Sequence, residues 1–438
     1  MPIASTIKIC LIICLTTTFL TGCDLFSKAP KKVDSAQAES IKLNTDGLLS
    51  SANLFAYKQM SEALSHAQAL DAVLASFLHH PNPLSLEETQ NAWIKTYQSY
   101  LKVSFFHLVP RFEKPSYHDK NDTYQIIQEE LDSWPIEPGY IDYLPLYPLS
   151  GIVNDQTLNI NQPDILQQHG FSDPRYASIG FHPLEFLLFG QDKSRSAKDF
   201  IPQDNSVETI DLDTTPTKPD HSIDNETAEN HADETLKSEN HRHVNPLINE
   251  PQNHNRRRDY VRLLSALNVQ RLQKLTDRWE PAHGYYAKQW RQPQSLQNLQ
   301  RVYQAAIDTL QTEVLIEHIS MIMTSPLLED LRSPFSGQDI RNIEAIMNGV
   351  DLLFSAENSF IDAIKLRNAE IADKITAQFK RLLLDIKKLP NSVITDSVES
   401  RKKRLTPIQN DTIRLIELLY GGAAELGIPL RELPVSTS

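Results

Sequence analysis

The sequence predicts an all-α protein in which two helical-bundle bodies flank a disordered acidic insert. Three observations support this fold class. Apolar residues recur at three- and four-residue steps through long parts of the 438-residue chain, as they do on one face of a helix. No segment shows convincing strand alternation, and glycine is scarce, with 13 in the whole chain. After Gly190 the composition turns polar and acidic, which divides the helical pattern in two.

The N-terminus predicts a lipoprotein signal peptide over residues 1–22. Lys8 precedes an apolar run over 9–20 that is short for a membrane span and typical of a signal-peptide core. The run ends in Leu-Thr-Gly-Cys, which resembles a bacterial lipobox with Cys23 as the acylated residue, although an ordinary secretory signal is an alternative. All three cysteines lie at or before Cys23, so the sequence after it offers no disulfide and no thiolate metal ligand.

Residues 23–45 are polar and predict a tether between the lipid and the folded body. We therefore expect a bacterial cell-envelope protein that faces the periplasm and is held to a membrane through acyl chains on Cys23. Asp24 follows the acceptor cysteine directly, an arrangement that retains some bacterial lipoproteins in the inner membrane. Sorting rules differ between bacteria, so the choice between inner and outer membrane stays open.

The helical pattern first runs through residues 46–190, the predicted N-terminal bundle. Its second helix follows a prolyl break, with Ser85 and Glu88 spaced as a capping box, and carries Trp93 on its apolar stripe. Residues 134–155 are rich in proline and tyrosine and predict an irregular segment at a surface or interface. The stripe of the first helix comprises Met60, Ala63, Leu64, Ala67, Leu70, Leu74, Phe77 and Leu78.

Residues 191–255 predict a disordered insert, because they are polar, acidic and nearly free of aromatic residues. Twelve acidic residues stand against three basic ones between Phe200 and Glu250. Much of the net charge of −13 is therefore local, and the lack of a basic face argues against a nucleic-acid partner. Metal binding by the insert is a further interpretation that depends on five irregularly spaced histidines, His221, His231, His241, His243 and His254.

The C-terminal bundle is predicted over residues 256–438. Apolar periodicity resumes in the segment that ends at Trp279. Further helices are predicted over 296–324, 337–354, 358–388 and 406–425. The chain contains no nucleophile elbow, no P-loop and no dinucleotide-binding motif, so these common chemistries lack their residues.

One chemical motif remains, His182 and Glu185 at the start of an apolar run. On a helix these positions share a face, and an imidazole with a carboxylate suits zinc, iron or copper. Two ligands do not make a site, and the H-x-x-E-H pattern of some metallopeptidases fails because Phe186 occupies its last position. The alternative is structural: Pro183 at the first helical position makes His182 the N-cap and Glu185 the third residue. Candidates for further ligands are Glu313, Glu317, His318 and Asp339.

The segment GFHPLEFLLFG resembles the signature of the imelysin-like family, whose G-x-H-x-x-E motif is matched by Gly180, His182 and Glu185. Three further segments are similar in the same order: an early Ala-Trp helix, a Trp-Pro loop and a late Phe-Ser segment that ends in aspartate. The resemblance covers about 45–425 apart from the insert. It implies an envelope protein of two helical bundles with the motif near their interface, a link to bacterial iron uptake, and a metallopeptidase class for some members.

The resemblance also implies roles for single residues. Gly180 allows close backbone approach, and His182 and Glu185 are ligands or polar groups of the site. Trp134 and Asp339 follow from the matching loops. Trp134 also fits a core aromatic residue, and Asp339 also fits the third residue of a capped helix.

Three functions follow, and the first is preferred. In the first, we expect a binding component of iron uptake that holds iron, a small iron complex or an iron-uptake protein at a polar site around His182 and Glu185. The first alternative is a zinc metallopeptidase of the imelysin class, with Glu185 as the candidate catalytic residue. The second is a structural envelope lipoprotein whose motif only caps a helix. The candidate metals are iron and zinc.

Overall fold

The protein is described by a computed structural model over residues 43–109, 123–203, 253–290 and 295–431. The predicted signal peptide, the acylated Cys23 and the tether as far as residue 42 lie outside the described residues, as do residues 204–252 of the acidic insert. Within the described ranges, no helix combines the length and the apolar character needed to cross a membrane. The described residues from Leu43 onward belong to one compact unit.

Helices build the fold, as the sequence predicts, and the only β interaction in the described ranges is an isolated bridge between Leu144 and Tyr147. A π-helical segment, Leu310–Ser320, continues one of the helices. The helices are α1 Thr45–His79, α2 Pro83–Leu101, α3 Tyr124–Leu131, α4 Pro138–Ile141, α5 Gln162–Gln168, α6 Phe181–Phe189, α7 His254–Trp279, α8 Tyr285–Trp290, α9 Ser295–Thr309, α10 Met321–Thr324, α11 Asp339–Ser355, α12 Phe360–Lys365, α13 Ala369–Lys388 and α14 Val398–Leu426.

Helix α1 lies at the centre of the N-terminal helices. All eight residues of its predicted apolar stripe are buried. It packs along α2 on one side and along α7 on the other, so α7 joins the N-terminal helices although it follows the acidic insert in the sequence. Asn53 in α1 donates to the carbonyl of Trp279 at the end of α7 (3.0 Å). Helix α13 packs against α11, α12 and α14, and α11 also packs against α2 of the N-terminal helices.

The start of α2 differs from the predicted capping box. Pro83 is the first helical residue, and Asn82 is the N-cap. The Asn82 side chain accepts from the Ser85 amide (3.0 Å), and the Ser85 hydroxyl accepts from the Asn82 amide (3.2 Å). The box is therefore shifted by three residues from the predicted one, because a proline without an N–H fits the first turn and leaves the preceding residue to cap it. Glu88 is exposed.

The ordered chain extends into both edges of the predicted insert, over 191–203 and 253–255. Two short 3₁₀ helices, Gln191–Lys193 and Ala197–Phe200, form at the first edge, and Phe200 is fully buried. The Asn255 side chain donates to the Gln203 carbonyl (2.7 Å), which ties the two edges together. The prediction of disorder was wrong at these edges, because buried contacts compensate for the polar composition around them.

A buried ionic cluster holds the first edge in place. Asp142 accepts from Arg257 through Nε (2.6 Å) and Nη2 (3.0 Å), and its Oδ2 lies 3.0 Å from Nη2 of Arg195. The Tyr143 hydroxyl donates to Asp199 (2.9 Å), and its ring lies under both guanidinium groups. Burial raises the pKa of Asp142, but the two arginines outweigh this effect and hold it below the ordinary value. The cluster connects the residues after α6 to the start of α7.

Candidate functional site

Gly180 begins the helix that carries the motif. Its φ of +106° lies in the region that favours glycine, and it is the N-cap of α6. A Cβ at this position would lie 2.6 Å from the carbonyl oxygen of Glu130 and 2.7 Å from that of Leu131. Because α6 starts directly against the end of α3, only a residue without a side chain fits there.

The predicted cap at His182 was wrong. The first helical residue is Phe181, so Pro183 is the third and Glu185 the fifth. Neither motif side chain caps the helix, since the cap position makes no side-chain hydrogen bond. The glycine conformation, rather than the proline, starts the helix. The side chains of His182 and Glu185 lie about one turn apart on α6, and both are fully buried in the interior.

Two side chains of α2 fix α6 along its length. The Trp93 indole donates to the Phe181 carbonyl at the start of α6 (3.1 Å), and the Gln90 amide donates to the Leu188 carbonyl near its end (2.8 Å). Trp93 is fully buried and stacks on Tyr97. Trp93 is thus a core aromatic residue that also orients the motif helix.

His182 lies between two carboxylates. Its Nε2 is 3.1 Å from Oδ1 of Asp132, and its Nδ1 is 3.2 Å from Oε2 of Glu185. Burial lowers the pKa of His182, but these two hydrogen bonds and the two negative charges raise it above the ordinary value on balance. An imidazolium donates from both nitrogens, so this geometry favours the protonated form of the ring.

Asp132 connects His182 to two further residues. The Tyr97 hydroxyl donates to its Oδ1 (3.0 Å), and Arg332 Nη2 donates to its Oδ2 (3.2 Å). Burial raises the pKa of Asp132, but the Arg332 charge and the hydrogen bonds from His182 and Tyr97 outweigh it and lower the pKa. Arg332 also lies 3.4 Å from Glu317, whose side chain is 45 % exposed. The network therefore runs from the buried motif to the surface.

Glu185 is bound by the segment that leads into α11. Its Oε1 accepts from the Ser336 amide (2.9 Å) and from the Ser336 hydroxyl (2.6 Å), while its Oε2 faces His182. Phe335 packs on Phe186, the residue after Glu185 (ring centroids 5.0 Å apart). The motif from the N-terminal half is therefore completed by the C-terminal half of the chain.

Trp134 lies beside the motif, as the resemblance implies. Its ring centroid is 4.9 Å from that of His182, and the residue is partly exposed. Tyr97 packs edge-on against the same imidazole from α2, with 5.3 Å between centroids. Trp134 is thus neither a fully buried core residue nor remote from the site, and it covers the imidazole at a position that solvent reaches.

Asp339 is near the motif but does not touch it. It is the first residue of α11, whose N-cap is Gln338, so its predicted place as the third residue of a capped helix was wrong. Its Oδ1 accepts from the Ser333 amide (3.2 Å). Burial and the negative charge of Glu185 raise the pKa of Asp339 to about 7. Burial and Arg332 lower the pKa of His318, 3.8 Å from Asp339, to about 3.

The motif pair does not fit a metal site in this arrangement. Both ring nitrogens of His182 face carboxylates, and both carboxylate oxygens of Glu185 have donors of their own. Asp132 and Glu185 lie on opposite nitrogens of the ring, so they do not converge on one ion. Within the described ranges, no group of three or more His, Cys, Asp or Glu residues is arranged to hold a metal ion.

Sequence reasoning missed Asp132, Arg332 and Ser336. Asp132 stands two residues before Trp134, in a loop that the resemblance already marks. Arg332 and Ser336 lie between helices, where no periodicity points to a face. Of the further ligands considered, Glu317 contacts Arg332, and Glu313 is partly buried with a pKa that burial raises. A buried charge needs a partner, but the sequence does not show which one.

The fold has relatives among solved structures. An imelysin-like protein from Psychrobacter arcticum is 13 % identical, with a TM-score of 0.56, and the match covers 89 % of this chain and 97 % of that one. A protein from Parabacteroides distasonis assigned as an iron-regulated protein A precursor is 12 % identical, with a TM-score of 0.55, and the match covers 88 % and 97 %. At these identities the likeness establishes the fold alone.

No curated protein matches the chain. The family model for imelysin, peptidase family M75, matches residues 56–418. The match spans the motif, the residues that contact it and both sides of the acidic insert. With most of its length covered, the chain belongs to the imelysin family.

Proposed function

We propose that this protein is an envelope lipoprotein that binds a component of bacterial iron uptake at the polar site around His182 and Glu185. One observation supports it most strongly: a charged network of His182, Asp132 and Arg332 joins both halves of the chain and reaches the surface. Buried charges are costly unless paired, so a network of this kind serves a ligand or a specific junction. The P. distasonis relative, assigned as iron-regulated, supports the link to iron.

The surface end of the network supports a small anionic iron complex as the ligand. The contact between Arg332 and Glu317 is 3.4 Å long, and Glu317 is 45 % exposed. Exposed ion pairs contribute only about 0–1 kcal/mol, so a ligand carboxylate can replace Glu317 at little cost. Trp134 is partly exposed beside His182 and offers an aromatic face to the same ligand. In this arrangement, the anionic ligand binds the Arg332 guanidinium, and its iron is not coordinated by His182 or Glu185.

Titration with ferric citrate tests this proposal. The full-length chain, purified in detergent, is compared with a His182→Asn and Glu185→Gln double variant and with Arg332→Gln. We expect both variants to bind more than about tenfold more weakly, because a lost charge-assisted hydrogen bond is worth about 1.5–3 kcal/mol.

Glu88→Gln is the matched control, since Glu88 is an exposed carboxylate on α2. Ferric citrate affinity that is equal in all four proteins would remove the site from this role. Circular dichroism melts of each variant separate loss of binding from loss of folding. Intact folding without any affinity for iron complexes in the wild type would favour the structural alternative.

The membrane anchor is a separate part of the proposal. We expect Cys23→Ser to move the protein from the membrane fraction to the soluble fraction of the source bacterium, because the lipobox cysteine would carry the acyl chains. Metabolic labelling with a fatty acid gives an independent readout. A Cys23→Ser variant that still fractionates with membranes would contradict the anchor.

The peptidase alternative has its own test. It requires cleavage of an unstructured protein such as casein that chelators abolish and that Glu185→Gln removes. The engaged nitrogens of His182 argue against it. Observation of such cleavage would replace the binding proposal.

A further inference from the structure

An apolar loop lies exposed on the surface after α4. We infer that its tip, formed by Leu146, Tyr147 and Leu149, inserts into the interface of a lipid bilayer. The inference rests on the membrane anchor of the proposed function, to which it adds a second contact built from protein side chains. The loop belongs to the segment rich in proline and tyrosine that the sequence predicts at a surface or interface.

The apolar loop covers residues 143–150, which include no charged residue. Leu146 is 85 % exposed, Leu149 70 % and Tyr147 64 %. The value for Leu146 is the highest among the large apolar side chains of the described ranges. Single exposed apolar residues are ordinary, but three within four positions form a local patch, and apolar patches mark contact sites.

The base of the apolar loop is closed and firmly held. The Ile152 amide donates to the Tyr140 carbonyl (2.9 Å) across the base. A Cβ at Gly151, whose φ is +87°, would lie 2.4 Å from the amide nitrogen of Asp142, so the two ends of the loop are in direct contact. Asp142 is bound in turn by Arg257 (2.6 Å). Because the base is already ordered, insertion of the tip loses little conformational freedom.

The backbone of the tip carries few polar groups that a bilayer would leave unpaired. Pro145 and Pro148 have no N–H. Leu144 and Tyr147 exchange two backbone hydrogen bonds across the turn (3.2 and 2.9 Å), and the Ser150 amide donates to the Tyr147 carbonyl (3.2 Å). Unpaired backbone groups are costly in an apolar environment, so this pairing lowers the cost of insertion.

The composition and shape of the tip favour a bilayer over a protein as its partner. Leucine side chains supply apolar area, and tyrosine is enriched at membrane interfaces, where its ring is buried and its hydroxyl stays among the headgroups. Side chains this exposed stand out from the surface. A protein partner would need a groove of matching shape, whereas a fluid bilayer adapts to the tip.

The position of the apolar loop is compatible with an anchor at Cys23. Arg257 binds the base of the loop, and its neighbour Arg258 donates to the Leu78 carbonyl (2.7 Å) near the end of α1. The 35 residues of α1 extend over about 50 Å. Nineteen residues separate Cys23 from Leu43, and a chain of that length spans up to about 60 Å. An anchor at Cys23 therefore permits the loop to reach the same membrane.

Charge near the apolar loop favours a neutral lipid surface. Asn253, at the edge of the acidic insert, donates to Asn154 (2.8 Å), four residues after the loop. The insert carries twelve acidic and three basic residues between Phe200 and Glu250, and anionic lipids repel such a segment. The loop itself has no charge that would attract them. Its contact is therefore apolar, and vesicles of phosphatidylcholine are the appropriate probe.

Fluorescence quenching in vesicles tests the inference. The sequence after Cys23 has no cysteine, so Leu149→Cys provides a single labelling site for a fluorescent dye. The full-length lipidated chain is reconstituted in phosphatidylcholine vesicles and quenched from the water by iodide and from the bilayer by doxyl-labelled lipid. We expect doxyl lipid to quench the label and iodide to quench it more than about threefold less than an exposed control label, because interfacial segments lie about 5–10 Å inside the boundary.

Two further variants separate insertion from simple proximity. Leu366→Cys is the matched control, since Leu366 is 68 % exposed at the end of α12, and iodide but not doxyl lipid should quench its label. Leu146→Ser and Tyr147→Ser, added together to Leu149→Cys, should restore quenching by iodide. Both positions are exposed, so circular dichroism should show an unchanged fold.

Flotation of the vesicles and the intact mass of the chain separate this inference from the anchor. Iodide quenching equal to that of the Leu366 label, in a chain that floats and carries acyl chains, keeps the anchor and overturns the inference. A Leu149 label shielded from both quenchers would mean that protein covers the loop, either the insert or a second copy, which also overturns it. Quenching by lipid in a chain without acyl mass would support the loop and contradict the anchor. A chain that does not float contradicts both.

Discussion

The two carboxylates favour a charged His182 in a place where charges are costly. Both ring nitrogens face carboxylates, and the residue is fully buried. Removal of one partner from a buried ion pair typically costs about 3–5 kcal/mol, because the other charge remains in the interior. Substitutions in the G-x-H-x-x-E motif are therefore expected to lower the free energy of unfolding even if the motif binds no ligand. Loss of folding has to be separated from loss of function in such variants.

Glu185→Gln is expected to lower the pKa of His182. The variant removes one of the two carboxylates that raise this pKa, while burial continues to lower it. In the wild type, the stability that His182 contributes is fully present below the ordinary value of 6.5 and is lost as pH rises through the raised folded pKa. In the variant, this loss should occur at lower pH.

NMR titration of the histidine ring signals measures the shift directly, with His182→Gln to assign the resonance. Urea unfolding between about pH 5 and about pH 9, which brackets the ordinary histidine pKa, measures the change in free energy. Glu88→Gln is the control. An unchanged His182 pKa in Glu185→Gln would mean that Glu185 does not support the imidazolium.

Gly180→Ala is expected to destabilise the protein more than Gly170→Ala. Both glycines have positive φ, +106° and +67°, so both alanines are strained. Only at Gly180 does the new Cβ meet backbone, with two carbonyl oxygens within 2.7 Å, whereas nothing lies within 4 Å of a Cβ at Gly170. Thermal melts should show a loss of about 1–3 kcal/mol from strain at either site and a further loss at Gly180. Equal melting temperatures would contradict the close packing of α6 on α3.

At the level of helices, the sequence predicted where the helices lie better than the residues at which they begin and end. The stripe of α1 is buried as expected, because its periodicity extends over many turns. The predicted helix over 358–388 is two helices, since Asn368 caps α13 through the Ile371 amide (3.2 Å). Helix α14 begins at Val398 and continues through Pro407, where the sequence placed its start near residue 406.

These differences have local causes. Arg401 is buried and donates to the Ser325 carbonyl (2.8 Å), which anchors the first turns of α14 before the proline. A contact of this kind, across 76 residues, leaves no trace in local composition. A helix cap depends on a single hydrogen bond, and several neighbouring residues can often form it. Packing therefore decides which residue becomes the cap.

Asn82→Ala is expected to lower stability by about 1 kcal/mol, the usual effect of a lost N-cap. Glu88→Ala should be nearly neutral, because the observed capping box is formed by Asn82 and Ser85 and not by Ser85 and Glu88. Urea unfolding of the two variants against the wild type measures both. A larger loss of stability in Glu88→Ala than in Asn82→Ala would instead support the predicted capping box of Ser85 and Glu88.

At the level of the whole molecule, the candidate site was predictable only in part. The resemblance pointed to Gly180, His182, Glu185 and Trp134, which do lie together. It did not point to Arg332, whose contact with Asp132 spans 200 residues. Pairing between distant charged residues depends on the full packing of the helices, and one sequence carries no record of it.

Replacement of residues 204–252 by a short Gly-Ser linker is expected to leave the melting temperature unchanged. The described edges already hold each other, through Asn255 and Gln203 and through the cluster around Asp142. Shortening a polar surface loop changes its closure entropy only slowly with length. Differential scanning calorimetry measures the result, with Arg257→Met as the matched variant that breaks the cluster. A large fall in melting temperature on replacement would show that the insert supports the fold.

The contacts of Glu185 also set the time at which the site comes into existence. Ser336 binds Glu185 across 151 residues, and Arg332 binds Asp132 across 200. Chains are made from the N-terminus, and domains tend to fold in that order. A nascent chain therefore contains the whole G-x-H-x-x-E motif long before the residues that complete its site. A product truncated before residue 332 would carry an intact motif in its sequence, yet its buried charges would lack two of their partners.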